Sequence, residues 1–476
     1  EICACLVGSE MCIRDRGFTV QKNNYAADER LGTDSIWRLM FSMGIPTLVA
    51  QVINLLYNIV DRIYIGHIKE VGATALTGVG LAMPIIIIIS AFSMFIGGGG
   101  PPLAAISLGK GDREKAERIL SNGFTVLIIL SVVLSILFML IKRPFLYMIG
   151  ASDSTFPYAD DYLSIYLLGT VFVQITVGLN TFITAQGRSN IAMLSVLIGA
   201  VLNIALDPLF IFVFDMGVRG AAAATIISQA FSAVWVIKFL TSKKASLKIN
   251  RKFLKPCAAI VKSVAALGIS PFVMQSTESL ISIVMNSGLK RYGGDLYVGS
   301  LTIMQSVMQI MTIPITGFAQ GVCPIISYNY GAGKTDRVRL TFRRLAALMF
   351  CYSSLMALTA ILFPRIFAEL FTNSSELIEL TAGILPVFVA GMLIFGLQLA
   401  CQNTFMALGQ AKISLFIAML RKVILLIPLA VILPKFFGVM GVYYAEPISD
   451  IAAALTCGVL FALSFKKILA RAETDK

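Results

Sequence analysis

The sequence predicts an all-α membrane protein with twelve transmembrane helices in two six-helix lobes related by internal duplication. Three observations carry that expectation. Of the 476 residues, 57% are hydrophobic and 14% charged, whereas soluble domains carry about a quarter charged residues. Apolar runs of roughly 20 or more residues, long enough to cross a hydrocarbon core of about 30 Å as a helix, recur from Ile36 almost to the C-terminus. Landmark residues of the first half also return, in order, in the second.

Taken in order, the first helix is expected near 36–66, carrying Pro46 and a polar stripe, and the second near 72–98, broken by Gly97 to Gly100 ahead of Pro101 and Pro102. Helices near 114–141 and 157–185 follow. The fifth, 189–214, holds Asn203 and Asp207-Pro208, and the sixth, 218–241, opens at Gly217-Val218-Arg219-Gly220. These make an N-lobe of residues 36–241, followed by a basic cytoplasmic linker at 242–256. Helices near 257–290, 295–327, 337–363, 376–408, 412–433 and 439–467 make a C-lobe of residues 257–467, and 468–476 form a tail. Residues 18–35 read as an N-terminal cytoplasmic segment. Residues 1–17 contain Cys3 and Cys12-Ile13-Arg14-Asp15-Arg16 and resemble translated adapter sequence, so they are expected to be a non-native leader.

The repeat is read from several anchors. Pro46 lies fifteen residues before Asp61, as Pro271 lies before Asn286. Gly99, Pro102 and Gly109 match Gly321, Pro324 and Gly331; Ala185-Gln186-Gly187 matches Ala407-Leu408-Gly409; Gly217-Val218-Arg219-Gly220 matches Gly438-Val439-Met440-Gly441. One match could be chance; an ordered series points to duplication. An even number of helices per repeat makes the lobes parallel, related by an axis along the membrane normal, and lobe rocking is the natural use of that geometry. A duplicated channel would have the same symmetry.

The net charge of +13 would suggest a polyanion surface on a soluble protein, but the cations fall in alternate loops. One set holds Lys110, Arg113, Lys115 and Arg118; Arg188; Lys243, Lys244, Lys248, Arg251, Lys252 and Lys255; Lys334, Arg337, Arg339, Arg343 and Arg344; Lys412; and Lys466, Lys467 and Arg471. The other is sparse and holds mainly His67 with Lys69, Lys142 with Arg143, Arg219, Lys290 with Arg291, Arg365 and Lys435. This is the positive-inside pattern, which places the rich loops and both termini in the cytoplasm and the chain in an inner or plasma membrane, with no nucleic-acid partner. Cys257, Cys323, Cys351, Cys401 and Cys457 lie singly in or beside apolar segments and read as small hydrophobes.

A charged side chain at a helix centre costs about 2.5–3.5 kcal/mol on insertion scales, so those inside spans are informative. Gln51, Asn54, Asn58 and Asp61 are spaced to share one face of the first helix, looking into a cavity. Asn203 and Asp207 are one turn apart in the fifth, and Gln275, Glu278, Ser282 and Asn286 form a stripe in the seventh. Thr225, Ser228 and Gln229 add to this in the sixth. No basic residue lies within a turn of Asp207. Such carboxylates either carry a proton through each cycle or, with Asn, Thr and backbone oxygens, hold a hard cation such as Na⁺; residues alone leave both open. The duller reading pairs Asp61 with Arg62 at the membrane boundary and makes Asp207-Pro208 a helix break.

Val60-Asp61-Arg62-Ile63-Tyr64-Ile65-Gly66, Asn203-Ile204-Ala205-Leu206-Asp207-Pro208, Gly217-Val218-Arg219-Gly220-Ala221, Leu108-Gly109-Lys110-Gly111-Asp112 and Tyr330-Gly331-Ala332-Gly333-Lys334 resemble motifs of the multidrug and toxic compound extrusion (MATE) family. The resemblance covers nearly everything after residue 30. It implies two six-helix bundles around a cleft and export of small lipophilic cations against H⁺ or Na⁺, with no other cofactor. It also implies that Asp61, Asn203, Asp207 and Thr225 form a cation-coupling site, the first three as metal ligands if the ion is Na⁺, and that Glu278 binds substrate. Phe395-Gly396-Leu397-Gln398 lacks the acidic residue some members carry in the tenth helix, and Asn286 answers Asp61, so ion coupling is expected in the first lobe. Gln51, Asn54, Gln174, Asn180, Gln275, Gln305, Gln309, Gln398 and Gln402 are candidate substrate-lining residues, alongside Met side chains suited to soft contacts with flat cations.

Other readings are weaker. Gly331-Ala332-Gly333-Lys334-Thr335 mimics the end of a P-loop, but Tyr328 stands where Gly is needed and no strand precedes it, so no ATP is expected. His67 is the only histidine, which leaves no zinc site. An enzyme at bilayer depth would need clustered His, Cys or Ser/Lys, and none is evident. A lipid-linked saccharide flippase would carry more Arg and Lys inside the spans. The chain is expected to act as a monomer.

Overall fold

The computed structural model describes residues 29–68 and 71–474; the expected leader, most of the 18–35 segment, Lys69 and the last two tail residues lie outside the described residues. Among the described residues there is no strand. Also among the described residues, ten helices are long and apolar enough to span a membrane, and counting each of two bent pairs as one span brings the number to twelve. The spans are α1 (Ile36–Gly66), α2 (Gly72–Gly109), α3 (Arg113–Met148), α4 (Phe156–Leu168 with Thr170–Ala185), α5 (Ser189–Val213), α6 (Gly217–Leu240), α7 (Ala258–Tyr292), α8 (Asp295–Gly331), α9 (Thr335–Leu362), α10 (Ser375–Phe388 with Met392–Ala407), α11 (Ala411–Phe437) and α12 (Val439–Thr474).

The duplication is visible in the backbone. The 60° bend of α4 falls at Gly169 and the 50° bend of α10 at Ala390-Gly391, equivalent places in the two halves. Left-handed glycines that end or start helices come in matched pairs: Gly111 with Gly333, Gly187 with Gly409, and Gly217 with Gly438. Only glycine takes this conformation without a Cβ penalty, which is why these landmarks also persisted in the sequence. The matched spans α5 and α11 each contain a π-helical turn, Leu209–Val213 and Leu420–Leu426.

Each lobe has its own apolar core, but the first helix of each begins in the other's. Leu39, Met40 and Met43 of α1 are buried in the C-lobe core, and Val264 of α7 in the N-lobe core. The seam continues along α2 and α7, where a Cβ on Gly99 would strike the backbone of Val264 and Gly268, and where Phe92 and Phe95 pack on Phe272 with ring centroids 5.0 and 4.4 Å apart. At the ends of α2 and α8, Gly109 lies against the Tyr328 carbonyl and Gly331 against that of Ile106.

This corrects one expectation: α2 is not broken at Gly97 to Gly100 but runs on through Pro101 and Pro102 to Gly109. The glycines serve close helix approach, as small residues do at membrane interfaces. A last tie joins the segment ahead of α1 to the C-lobe. Arg337 Nη2 donates to the carbonyls of Leu31 (3.2 Å) and Asp34 (2.7 Å), Asn329 Nδ2 to Leu31 O (2.8 Å) and Lys334 Nζ to Gly32 O (2.9 Å).

These crossings run from the ends that carry the basic loops to Gln51, whose Nε2 donates to Gln320 Oε1 at 3.1 Å, and Phe92 near mid-span. The lobes therefore meet at the basic end. The linker docks on the N-lobe: Asn122 Nδ2 donates to Phe253 O (2.8 Å) and its Oδ1 accepts from Cys257 N (2.6 Å), while Gln186 Oε1 accepts from Leu247 N (2.9 Å).

Candidate functional site

In the N-lobe, α1, α5 and α6 bring Asp61, Asn203, Asp207 and Thr225 together. Asp61, Asn203 and Asp207 are 6%, 2% and 0% exposed, so all three are withdrawn from bulk solvent. Asn203 Nδ2 donates to Asp207 Oδ1 at 3.1 Å and to Thr225 Oγ1 at 3.4 Å, and the Asp61 and Asp207 carboxyl groups stand within interaction range of each other. Among the described residues neither carboxylate has an ion-pair partner, and Arg62, next to Asp61 in sequence, is exposed.

Several buried polar oxygens are left without a hydrogen-bond partner: Asp61 Oδ1, Asn203 Oδ1, Asp207 Oδ2, Ser228 Oγ and Gln229 Oε1. Unpaired buried polar groups are expensive. Two desolvated carboxylates surrounded by spare oxygen acceptors fit a proton, or a hard cation such as Na⁺ whose ligands are oxygens.

The fourth span adds tyrosines that the polar-stripe reading missed. Tyr162, 3% exposed, lies beside Thr225, and with Tyr57 of α1 it is within electrostatic reach of Asp61. Aromatic residues at helical spacing usually mean packing, so nothing in the sequence distinguished these. The stripe on α1 also divides. Gln51 crosses to the C-lobe, Asn54 and Asn58 face open space as half-buried and exposed residues, and Asp61 turns into the N-lobe interior.

A second ionic group lies in the C-lobe. Glu278 of α7 pairs with Lys422 of the π turn in α11 (Oε1 to Nζ, 2.8 Å). Arg421 beside it pairs with Asp450 (Nε to Oδ1, 2.6 Å) and Glu446 (Nη2 to Oε1, 3.6 Å) of α12, with its guanidinium 4.7 Å from the Phe395 ring centroid. The reading of charged side chains inside the spans passed over these four residues, two carboxylates and two cations. The repeat held the signal: the shift that takes Gly217 to Gly438 carries Thr225 to Glu446 and Gln229 to Asp450. The spans do hold Arg and Lys, but acidic partners neutralise them.

Several expected lining residues lie elsewhere. Gln174 is fully buried, its Oε1 accepting from Ser93 Oγ (2.9 Å) and its Nε2 donating to Ile89 O (2.8 Å), so it braces α2 to α4. Asn180 binds Ala192 O (3.1 Å) and Ser195 Oγ (2.9 Å), joining α4 to α5. Gln402 donates to Met274 Sδ (3.0 Å), and Gln398 is 1% exposed. The amides of Gln174, Asn180 and Gln402 find their partners on neighbouring helices, whereas Gln398 Oε1 is buried with no hydrogen-bond partner among the described residues. Gln275 and Gln305 are half-buried and Gln309 exposed.

Comparison with known proteins agrees with this architecture. The MatE family model matches residues 46–209 and 271–432, one stretch in each lobe. The multidrug export protein MepA of Staphylococcus haemolyticus (strain JCSC1435) is 26% identical over 433 residues, 90% of this chain and 94% of that protein. The crystal structure of MATE in the bent conformation superimposes with a TM-score of 0.87 over 94% of this chain and 99% of that one, at 22% identity, a likeness of fold alone. A solved chain described as protein A shares 34% identity and a TM-score of 0.85, covering 91% and 97%. With both lobes matched by the family model and the fold shared along almost the whole chain, this protein belongs to the MatE family of membrane transporters.

Proposed function

We propose that the chain is a secondary active exporter of small lipophilic organic cations, driven by exchange for H⁺ or Na⁺ through alternating access of its two lobes. The observation that carries this reading is the pairing of Asp61 and Asp207 in the N-lobe with no basic partner and with unsatisfied oxygens around them. A structural ion pair would be compensated; a coupling site must be able to stand empty and be filled. Binding of the ion at α1, α5 and α6 would alter the packing of α1, which spans both lobes. With the basic loops cytoplasmic, the seam described above closes the inner side and the cleft faces outward. One charge moving down 100 mV supplies about 2.3 kcal/mol.

The test is ethidium transport in proteoliposomes under a pH gradient and a Na⁺ gradient imposed separately, for wild type and Asp207→Asn. One gradient is expected to drive the wild type, identifying the ion, and neither to drive the variant. Ethidium movement without either gradient in both forms would make the protein a channel. Failure of the wild type to move ethidium at all would sink the cation-export reading in favour of a lipid-linked saccharide flippase.

A further inference from the structure

The C-lobe group is built differently from the N-lobe site, and its arithmetic is unusual. Glu278, Glu446 and Asp450 face Arg421 and Lys422, three formal negative charges against two positive, so the group is one monovalent cation short. The shortfall has a place: Asp450 Oδ2 has no hydrogen-bond partner although Asp450 is 1% exposed. The group is also graded from cleft to interior. The Glu278 side chain is 56% exposed, those of Lys422 and Arg421 are 8% and 10%, and those of Glu446 and Asp450 are 8% and 1%.

Glu278 lies seven residues, close to two full turns, beyond Pro271 on α7, on the face that packs against α2 of the N-lobe. Its open side therefore points into the space between the lobes. Arg421 is held by two carboxylates and by the Phe395 ring, whereas Lys422 has, among the described residues, one ion-pair partner, Glu278. Behind it Glu446 is within electrostatic reach. An ammonium on a four-carbon stem can trade one carboxylate for another, which a fixed guanidinium fork cannot do.

We propose that Lys422 is a built-in stand-in for the exported cation: it occupies Glu278 while the cleft is empty and swings back towards Glu446 when an organic cation takes the Glu278 carboxylate. This rests on the cation-export reading above. It makes Lys422 a competitor rather than a brace, setting the threshold affinity a substrate must exceed and returning Glu278 to a neutral pair on release.

The two roles predict opposite signs. The dissociation constant of tetraphenylphosphonium for the purified protein in nanodiscs would be measured calorimetrically for wild type, Lys422→Gln, Lys422→Arg, Glu446→Gln and the Glu278→Gln/Lys422→Gln double variant. Removing the competitor should tighten binding by about tenfold, within the usual range of coupling between sites. Lys422→Arg should bind as wild type or more weakly, the double variant should lose the gain, and Glu446→Gln, which removes the inner berth, should weaken binding several-fold. Unchanged or weaker binding by folded Lys422→Gln overturns the proposal while leaving cation export intact; were that variant unable to fold, unaltered binding by Glu446→Gln would overturn it instead. Binding by no form, wild type included, overturns the export reading as well.

Discussion

The two lobes share a backbone plan and differ in how they treat charge. In the N-lobe, Asp61 and Asp207 sit buried amid unsatisfied oxygens, without a counterion among the described residues. In the C-lobe, Glu446 and Asp450 are equally buried but are tied to Arg421, and Glu278 to Lys422. Duplication supplied two equivalent pockets among the first, fifth and sixth helices of each half. Divergence then left the carboxylates of one pocket without a basic partner among the described residues and gave those of the other cations from the chain itself. An uncompensated site can load and release; a compensated one holds its helices together and responds only to a competitor.

Substitutions can break that contrast, the strongest first. Arg421→Ala leaves Asp450 and Glu446 as buried unpaired charges and should cost about 3–5 kcal/mol, read as a lowered thermal transition in detergent. Asp61→Asn removes a charge that has no partner and should change stability by less than about 1 kcal/mol while abolishing coupled transport. Equal destabilisation by the two would show that the lobes are not electrostatically distinct. Gly99→Leu forces a side chain into the α7 backbone at the seam and should cost roughly 1–3 kcal/mol in the closed arrangement. The readout is faster thiol labelling of a cysteine placed at Ile106, in a background cleared of native cysteines. Arg337→Ala removes the donors to Leu31 and Asp34 and should shift the same labelling in the same direction by about 1 kcal/mol, since the contacts are only part-buried.

Much of this plan was legible in the sequence because its signals are local. The apolar runs, the turn glycines with positive φ and the alternation of basic loops each depend on a few neighbouring residues, and they located all twelve spans. The Asp61, Asn203, Asp207 and Thr225 group was legible for a related reason: a carboxylate inside an apolar run is conspicuous, and helical spacing says which residues share its face. What was not legible was partnership. Gln174 and Asn180 looked like lining residues because an amide in a span is costly unless it has a role, yet each spends its hydrogen bonds on a neighbouring helix. Arg421 and Lys422 passed unnoticed because their partners lie on α7 and α12, far away in sequence. The glycine run at Gly97 to Gly100 suggested a break, since glycine is a poor helix former in water; the close approach of α7 to Gly98 and Gly99 and of α4 to Gly97 and Gly100 shows why it is there.

The sequence by itself determined the number and order of the membrane helices, the duplication and which polar residues of the first lobe share helix faces, because the bilayer forces every span to satisfy its backbone internally and so to declare itself locally. Only the tertiary structure decided which polar side chains brace helices and which face the cleft. It alone showed that α1 and α7 each begin in the opposite lobe's core and that the C-lobe cations answer carboxylates on other helices. Those outcomes depend on which helices pack side by side, and that is set by contacts between residues from 12 to 306 positions apart.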